Sequence, residues 1–524
     1  MKRIVFCIVT AIVTSLVYSA GYTQPADSPE AAGIEPITGD MAPWRAYGAD
    51  EGNFDSVWII ALNNGNTAVF KRGSDMQTPG VVGGTEFLLF GPDGQQLNEL
   101  PTPGSYNSDG TPIPWVDYAG TGLSWGFFTL GAHADKANGT GFVVHNQGEA
   151  FAEFGLEHSD QVGDEAFSLI QLFDNDGNPV GSSINAFGSL TAEPGEYRDV
   201  GAVILTNGDI AVIGENRQVS DDFLDEIAAD ASSVVIGIIL APDGTVRFGP
   251  FAPHTGEDGL YLGGSSSAVF QNMTAFAGGF VIDYGNNIRW YNNDGTPITP
   301  AQPDHADIAG QEADPNNPGF VIPESTGGRG DSVSLASNGK DIVVKSAVIN
   351  SGPDSVGILI YYNLDGTVKR YVRFDDVVID DEIALVDRSF CDMDENGNVF
   401  VVWEDKRFGG DSNDGHSQVF GRFFNQDGEP FGPSFPVYEN WKSEPEFIDY
   451  GGSIGDVPAG DQQQPRCSIN NQVAAVVSAS TIMPGISDTI KQLSSAFGLV
   501  LDEPIVRLFK NPFAEDDVAA WSIY

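Results

Sequence analysis

The stretch FCDMDENGNVFVVWEDKRFGGDSNDGHSQVFGRFFNQDGEPFGPSFPV, Phe390 to Val437, contains two strand–turn–strand units in succession. In the first, the apolar strand around Phe390 turns at Asn396-Gly397 and returns as VFVVW. In the second, VFGRFF turns at Asp427-Gly428 and returns as PFGPSFPV. Asn-Gly and Asp-Gly supply the positive φ that tight hairpins need, and the flanking β-branched and aromatic residues suit strands. Two hairpins in one unit predict four strands.

Working outward, the first half of this unit recurs. Copies are VWIIALNNGNTAVF from Val57, VGAVILTNGDIAVIG from Val200 and VSLASNGKDIVV from Val333. Looser ones are NGTGFVVH from Asn138, AFAGGFVID from Ala275 and INNQVAAVVSA from Ile469. The second half recurs around Gly94, Gly177, Gly244, Gly295 and Gly366. A degenerate copy from Phe497, FGLVLDEPIVRLF, lacks the glycine. A twisted four-stranded sheet cannot bury both faces alone, whereas sheets stacked radially bury them and leave only short edges. The repeat therefore predicts an all-β chain, a single β-propeller of about seven four-stranded blades over residues 54–524. A solenoid would show shorter, more regular repeats, and paired sandwich domains would show a linker. The C-terminal VAAWSIY, from Val518, is expected to supply an outer or closing strand. Short helices are expected on loops, in SDDFLDEIAADASS from Ser220 and SDTIKQLSS from Ser487.

The Phe390–Val437 unit resembles the repeats of large secreted bacterial β-propeller proteins. Those share an Asp/Asn-Gly turn, a Val-Val-Trp strand, an acidic Gly-rich loop and a strand ending in Asp-Gly-x-Pro-x-Gly. The resemblance implies a propeller and an extracellular setting, and carries no defined activity.

The N-terminus fits export. Lys2 and Arg3 precede an apolar run from Ile4 to Val17, and Val17 and Ser19 suit a cleavage site, so residues 1–19 are expected to be a signal peptide. Residues 20–53, rich in Pro, Gly, Ala and acid, are expected to be an exposed lead-in. No later segment is apolar enough to span a bilayer. The expected location is secreted, periplasmic or cell-surface. The net charge of −48 repels nucleic acid and anionic lipid, and suits an exterior where salt or calcium screens it.

Cys391 and Cys467 occupy similar places in two successive units. A disulfide between them is expected in an oxidising compartment; the alternative is two separate buried thiols. In DMDENG, Asp392, Asp394 and Asn396 alternate ahead of Gly397, which is how oxygen-ligand calcium loops begin, so Ca2+ is the candidate cofactor. The pattern departs from such loops further on, where Phe400 replaces an expected acid, and an acidic hairpin turn is the competing reading. DSNDG from Asp411 is a lesser candidate, and DNDGN from Asp174 reads as an ordinary turn. His133 and Asp135, and His305 with its neighbouring Asp304 and Asp307, read as solvated loop residues. The Gly-x-Ser-x-Gly matches at 122–126 and 451–455 lack the strand-to-helix context of a nucleophile elbow. Arg329-Gly330-Asp331 reads as a chance tripeptide.

Long loops at 104–126, 298–331 and 437–465 are the expected binding surface. Their aromatics Trp115, Tyr118, Trp125, Trp441 and Tyr450, set among acids, suit sugar rings; the competing role for such aromatics is to plug blade interfaces. The expected partner is an extracellular glycan or protein. Three functions follow: a binding module, an extracellular polysaccharide hydrolase or lyase with carboxylates in the central funnel, or a structural surface-assembly protein.

Overall fold

The structure, a computed structural model, describes residues 25–41, 57–73, 84–97, 125–150, 166–187, 197–216, 234–251, 273–284, 287–299, 302–303, 334–349, 355–375, 378–379, 382–383, 386–406, 417–438, 447–449, 456–458, 462–481 and 502–514. Apart from two two-stranded ribbons, Val378–Ile379 with Glu382–Ile383 and Phe447–Asp449 with Asp456–Pro458, the described strands form seven small antiparallel sheets, each laid down in chain order. Blade 1 is Val57–Ala61, Thr67–Gly73 and Gly84–Phe90; blade 2 is Trp125–Ala134, Phe142–Ala150, Ala166–Phe173 and Pro179–Asn185. Blade 3 is Tyr197–Ile204, Ile210–Asn216, Val234–Leu240 and Val246–Phe251; blade 4 is Met273–Phe276, Gly279–Tyr284, Asn287–Asn292 and Gln302–Pro303. Blade 5 is Ser334–Ser337, Val343–Ile349, Val356–Tyr362 and Val368–Arg373; blade 6 is Val386–Met393, Val399–Asp405, Gln418–Phe424 and Pro430–Pro436. Blade 7 is Gln462–Ile469, Val473–Thr481 and Asp502–Lys510. First strands of successive blades are neighbours all the way round, and that of blade 7 returns to that of blade 1. The chain is a seven-bladed β-propeller, as the repeat predicts.

Alternation along single strands explains the stacking. In blade 6, Val399, Val401 and Trp403 pack toward blade 5, against Val344 and Leu359. Phe400 and Val402 pack the opposite way, toward Cys467 and Val476 of blade 7. A strand buried on both faces reads as an unbroken apolar run, which is what VFVVW is. At the second hairpin of this blade Gly428 has φ +74°, the left-handed region that its sequence position demanded.

Closure of the ring corrects the expectation for the N-terminus. Residues 35–41 are not an exposed lead-in: they run antiparallel to the third strand of blade 7, with bridges Pro36 to Phe509 and Met41 to Val506. Ile37 N donates to Leu508 O at 2.8 Å, and Met41 and Val506 exchange both backbone bonds. Upstream, Ile34 is buried, and Ala26 N donates to Ser434 O on the outer strand of blade 6. The first described segment thus completes the last blade, ahead of the Val518 segment, which lies outside the described residues, as do both expected helices. A tail whose apolar side chains meet an unpaired strand edge pairs with it, because that edge otherwise leaves N–H and C=O groups unmet.

The two faces of the ring differ. Turns between first and second strands are short, and they are stitched to one another around the circle. Asn64 Nδ2 donates to Asn175 O in the third-to-fourth strand turn of blade 2, on the same face, and Asn138 Nδ2 to Leu205 O of blade 3. Gly278 N donates to Thr206 Oγ1, and Ala277 N to Lys340 O. Lys340 Nζ donates to Glu395 O, Asn396 Nδ2 to Asn471 Oδ1, and Asn470 Nδ2 to Leu62 O, which returns to blade 1. The strand ends that flank 151–165, 217–233 and 304–333 lie at the opposite face.

Candidate functional site

The axis holds a cavity of about 60 Å³ lined by first-strand residues of all seven blades. Trp58, His133 and Phe390 supply aromatic walls. Trp58 meets Phe390 edge-on with ring centres 5.8 Å apart and His133 at 6.0 Å. Trp58 Nε1 donates to Ala132 O at 2.7 Å, which fixes the indole against blade 2. Arg466 lies over both Phe390, at 5.0 Å, and Trp58, at 5.4 Å. Burial and then the nearby Arg388 charge pull its pKa down to about 10.

Toward the stitched face the axis is plugged. The blade 2 turn from Asp135 to Gly141 crosses it, and Lys136 Nζ reaches Asp392 Oδ2 at 2.9 Å and also Ile469 O. Ser468 Oγ donates to the same Asp392 oxygen at 2.6 Å, and Ile469 N at 2.9 Å. Gly339 of blade 5 sits so close beneath this turn that a Cβ there would meet the Ala137 nitrogen at 2.7 Å. One cation thereby ties blades 2, 6 and 7 together.

The expected calcium residues are therefore placed as follows. Asp392 faces Lys136 and Ser468. Asp394, fully buried, accepts from the backbone of Asn396 and Asn398 and from the side chains of Asn398 and Asn511. Asn396 belongs to the ring of turn-to-turn bonds. The alternation along DMDENG sends Asp392 to the axis and Asp394 into its own turn, so the three side chains are not brought together. Among the described residues, no group of three His, Cys, Asp or Glu is clustered as a metal site.

The expected disulfide is not formed: Cys391 and Cys467 are both free and buried. They do hold equivalent places, Cys391 opposite Val401 and Cys467 opposite Val476. Each points back toward the preceding blade, so Cys391 joins the interface of blades 5 and 6, and Cys467 that of blades 6 and 7. A sheet lies between the two thiols. Burial pushes Cys391 up to about 12, and Cys467 is also raised well above its usual value.

His133 and Asp135 are not solvated loop residues. His133 stacks on the buried His145 at 5.6 Å. Asp135 is buried and holds the plug turn by accepting from Asn138 N and Thr140 Oγ1. Asp174 organises an ordinary turn, accepting from Asp176 N and Asn178 N. Trp115, Tyr118, Trp441 and Tyr450 lie outside the described residues, as do His305, both Gly-x-Ser-x-Gly serines, Asp411 and Arg329–Asp331. Trp125 opens the first strand of blade 2, paired with Ala150, so the 104–126 loop ends before it. Tyr438, from the third aromatic loop, is core: it is buried and donates its hydroxyl to Ile505 O. Sequence reasoning missed Trp58, Lys136 and Arg466, since nothing local marks a strand or turn residue as lying beside the axis.

No protein-family model matches the chain, and no curated protein matches it. Among solved structures, it is similar to a protein of unknown function from Dyadobacter fermentans, at 10% identity and a TM-score of 0.36 over 91% of this chain and 99% of that one. It is also similar to the NanB sialidase from Streptococcus pneumoniae, at 9% identity and a TM-score of 0.38 over 89% of this chain and 70% of that one. An α-L-arabinofuranosidase from Podospora anserina aligns at 12% identity and a TM-score of 0.26 over 60% of this chain and 91% of that one. Overlaps this loose assign no activity, and the class of the molecule rests on its own sheet order.

Proposed function

We propose that this chain is an exported binding module that recognises a glycan through the propeller face carrying the long connections. The observation behind this reading is the asymmetry of the ring. One face is closed by short, mutually bonded turns and the Lys136–Asp392 plug. At the other, strand ends lead into long segments such as 151–165, 217–233 and 304–333. The loop aromatics Trp115, Tyr118, Trp441 and Tyr450, which lie outside the described residues, suit the C–H faces of sugars. The test is incubation of the mature chain with a panel of soluble and insoluble polysaccharides, scoring retention and new reducing ends. Retention without new ends supports the module. New reducing ends would make the chain a hydrolase or lyase instead, and no retention by any polysaccharide would overturn the glycan assignment.

A further inference from the structure

Asp283 stands in the second strand of blade 4 and Lys345 in the second strand of blade 5. Side chains alternate along a strand, and residues directly opposite one another share a face. Lys345 lies between Val343 and Ala347 on its own strand, opposite Leu335 on one side and Ile360 on the other. Asp283 follows Val281 on the same face and lies opposite Ile288. All of these apolar residues belong to the one core packed between blades 4 and 5.

In that core Lys345 Nζ and Asp283 Oδ2 are 2.5 Å apart, with side chains 0% and 2% exposed. A charge-assisted N–H···O bond spans about 2.7–2.9 Å, so the two groups stand closer than an ion pair needs. The pairs Lys136–Asp392, at 2.9 Å, and Lys510–Glu35, at 2.7 Å, are both wider and both reached by solvent. Arg373–Asp375 and Arg507–Asp40 are well buried, but a guanidinium stays protonated and is no nucleophile. Taking an ion pair out of water disfavours both charges, and a proton passed from Nζ to the carboxylate leaves an amine against a carboxylic acid. These are the two halves of an amide. Strands pinned on both sides hold them in contact, which is equivalent to an effective concentration of about 10⁵–10⁸ M for well-oriented groups. A dry core also protects the product from hydrolysis.

We propose that Lys345 and Asp283 condense to an intramolecular isopeptide bond that joins blades 4 and 5 covalently. The Nζ–Cγ bond forms, one Cγ–O bond breaks, and the hydroxyl leaves with an amine proton as one water. No oxidant, reductant or cofactor enters. The amide is neutral, so the interface no longer holds two desolvated charges. The bond also ties together the two blades that flank the 304–333 segment, and it is independent of what the open face binds.

The experiment is intact-mass measurement of the denatured, reduced mature chain, followed by a tryptic map with fragmentation. The expected result is a mass one water below that of the sequence, no cleavage after Lys345, and a branched peptide joining Lys345 to Asp283. A mass equal to that of the sequence overturns the proposal. So does loss of water with ordinary cleavage after Lys345, which is what dehydration at an Asp-Gly turn gives. Both readings come from the wild-type chain and do not depend on a variant folding. Lys345→Arg keeps the charge and is expected to abolish the loss of water and the branched peptide; a branched peptide that persists in this variant assigns the bond to another lysine and overturns the role of Lys345.

Discussion

Two ion pairs sit at the joint where the N-terminal segment closes the ring, and they should differ sharply in worth. Arg507 and Asp40 are 2.8 Å apart with side chains 1% and 11% exposed; Lys510 and Glu35 are 2.7 Å apart but 51% and 63% exposed. Removing one partner of a buried pair strands a desolvated charge and costs about 3–5 kcal/mol, whereas an exposed pair contributes about 0–1 kcal/mol. Asp40→Ala should therefore lower unfolding stability by about 3 kcal/mol, and Glu35→Ala by less than about 0.5 kcal/mol. Replacing both members, Asp40→Ala with Arg507→Met, should recover most of the loss, because no charge is then left in the core beside Phe509. Equilibrium urea unfolding, with limited proteolysis at the N-terminus as a second readout, gives the comparison. Equal effects of Asp40→Ala and Glu35→Ala, or a double variant no better than Asp40→Ala, would refute the argument that burial sets the strength of this closure.

Both cysteines should resist a thiol-alkylating reagent in the native protein and react after denaturation, since burial keeps them protonated; a non-reducing peptide map showing a Cys391–Cys467 link would contradict the structure. Chelation with EDTA is expected to leave the melting temperature unchanged, because Asp392 and Asp394 already accept from Lys136, Ser468 and three asparagines; a drop that calcium restores would place an ion at this turn. Gly339→Ala should destabilise the protein by about 1–3 kcal/mol, because φ is +72° there and the new Cβ strikes the backbone of the plug turn; an unchanged urea midpoint would argue that the plug yields freely. At Asp294 and Asp365, hydrogen bonds from the Thr296 and Thr367 side chains, then from their backbone, hold the carboxyls below their usual range. A depressed folded value means that the turns contribute above the ordinary carboxylate range and lose that contribution as pH falls through it. Thr296→Val should raise the Asp294 titration toward its usual value, as read by carboxyl NMR, and no movement would rule out the hydroxyl as the main cause.

Blade number and strand order were legible in the sequence because both are local. An Asn-Gly or Asp-Gly turn between apolar runs specifies a hairpin wherever it stands, and a run such as Val399–Trp403 declares two buried faces. The net charge of −48 is likewise a property of composition alone. Three matters were decided only by the tertiary structure. Residues 35–41 became the closing strand because the edge of Asp502–Lys510 was left for them, nearly the whole chain away. Cys391 and Cys467 stayed apart because repetition that gives them the same register also turns both toward their preceding blades. Asp392 and Asp394 separated because alternate strand residues part company at a hairpin, one to the axis and one into its turn.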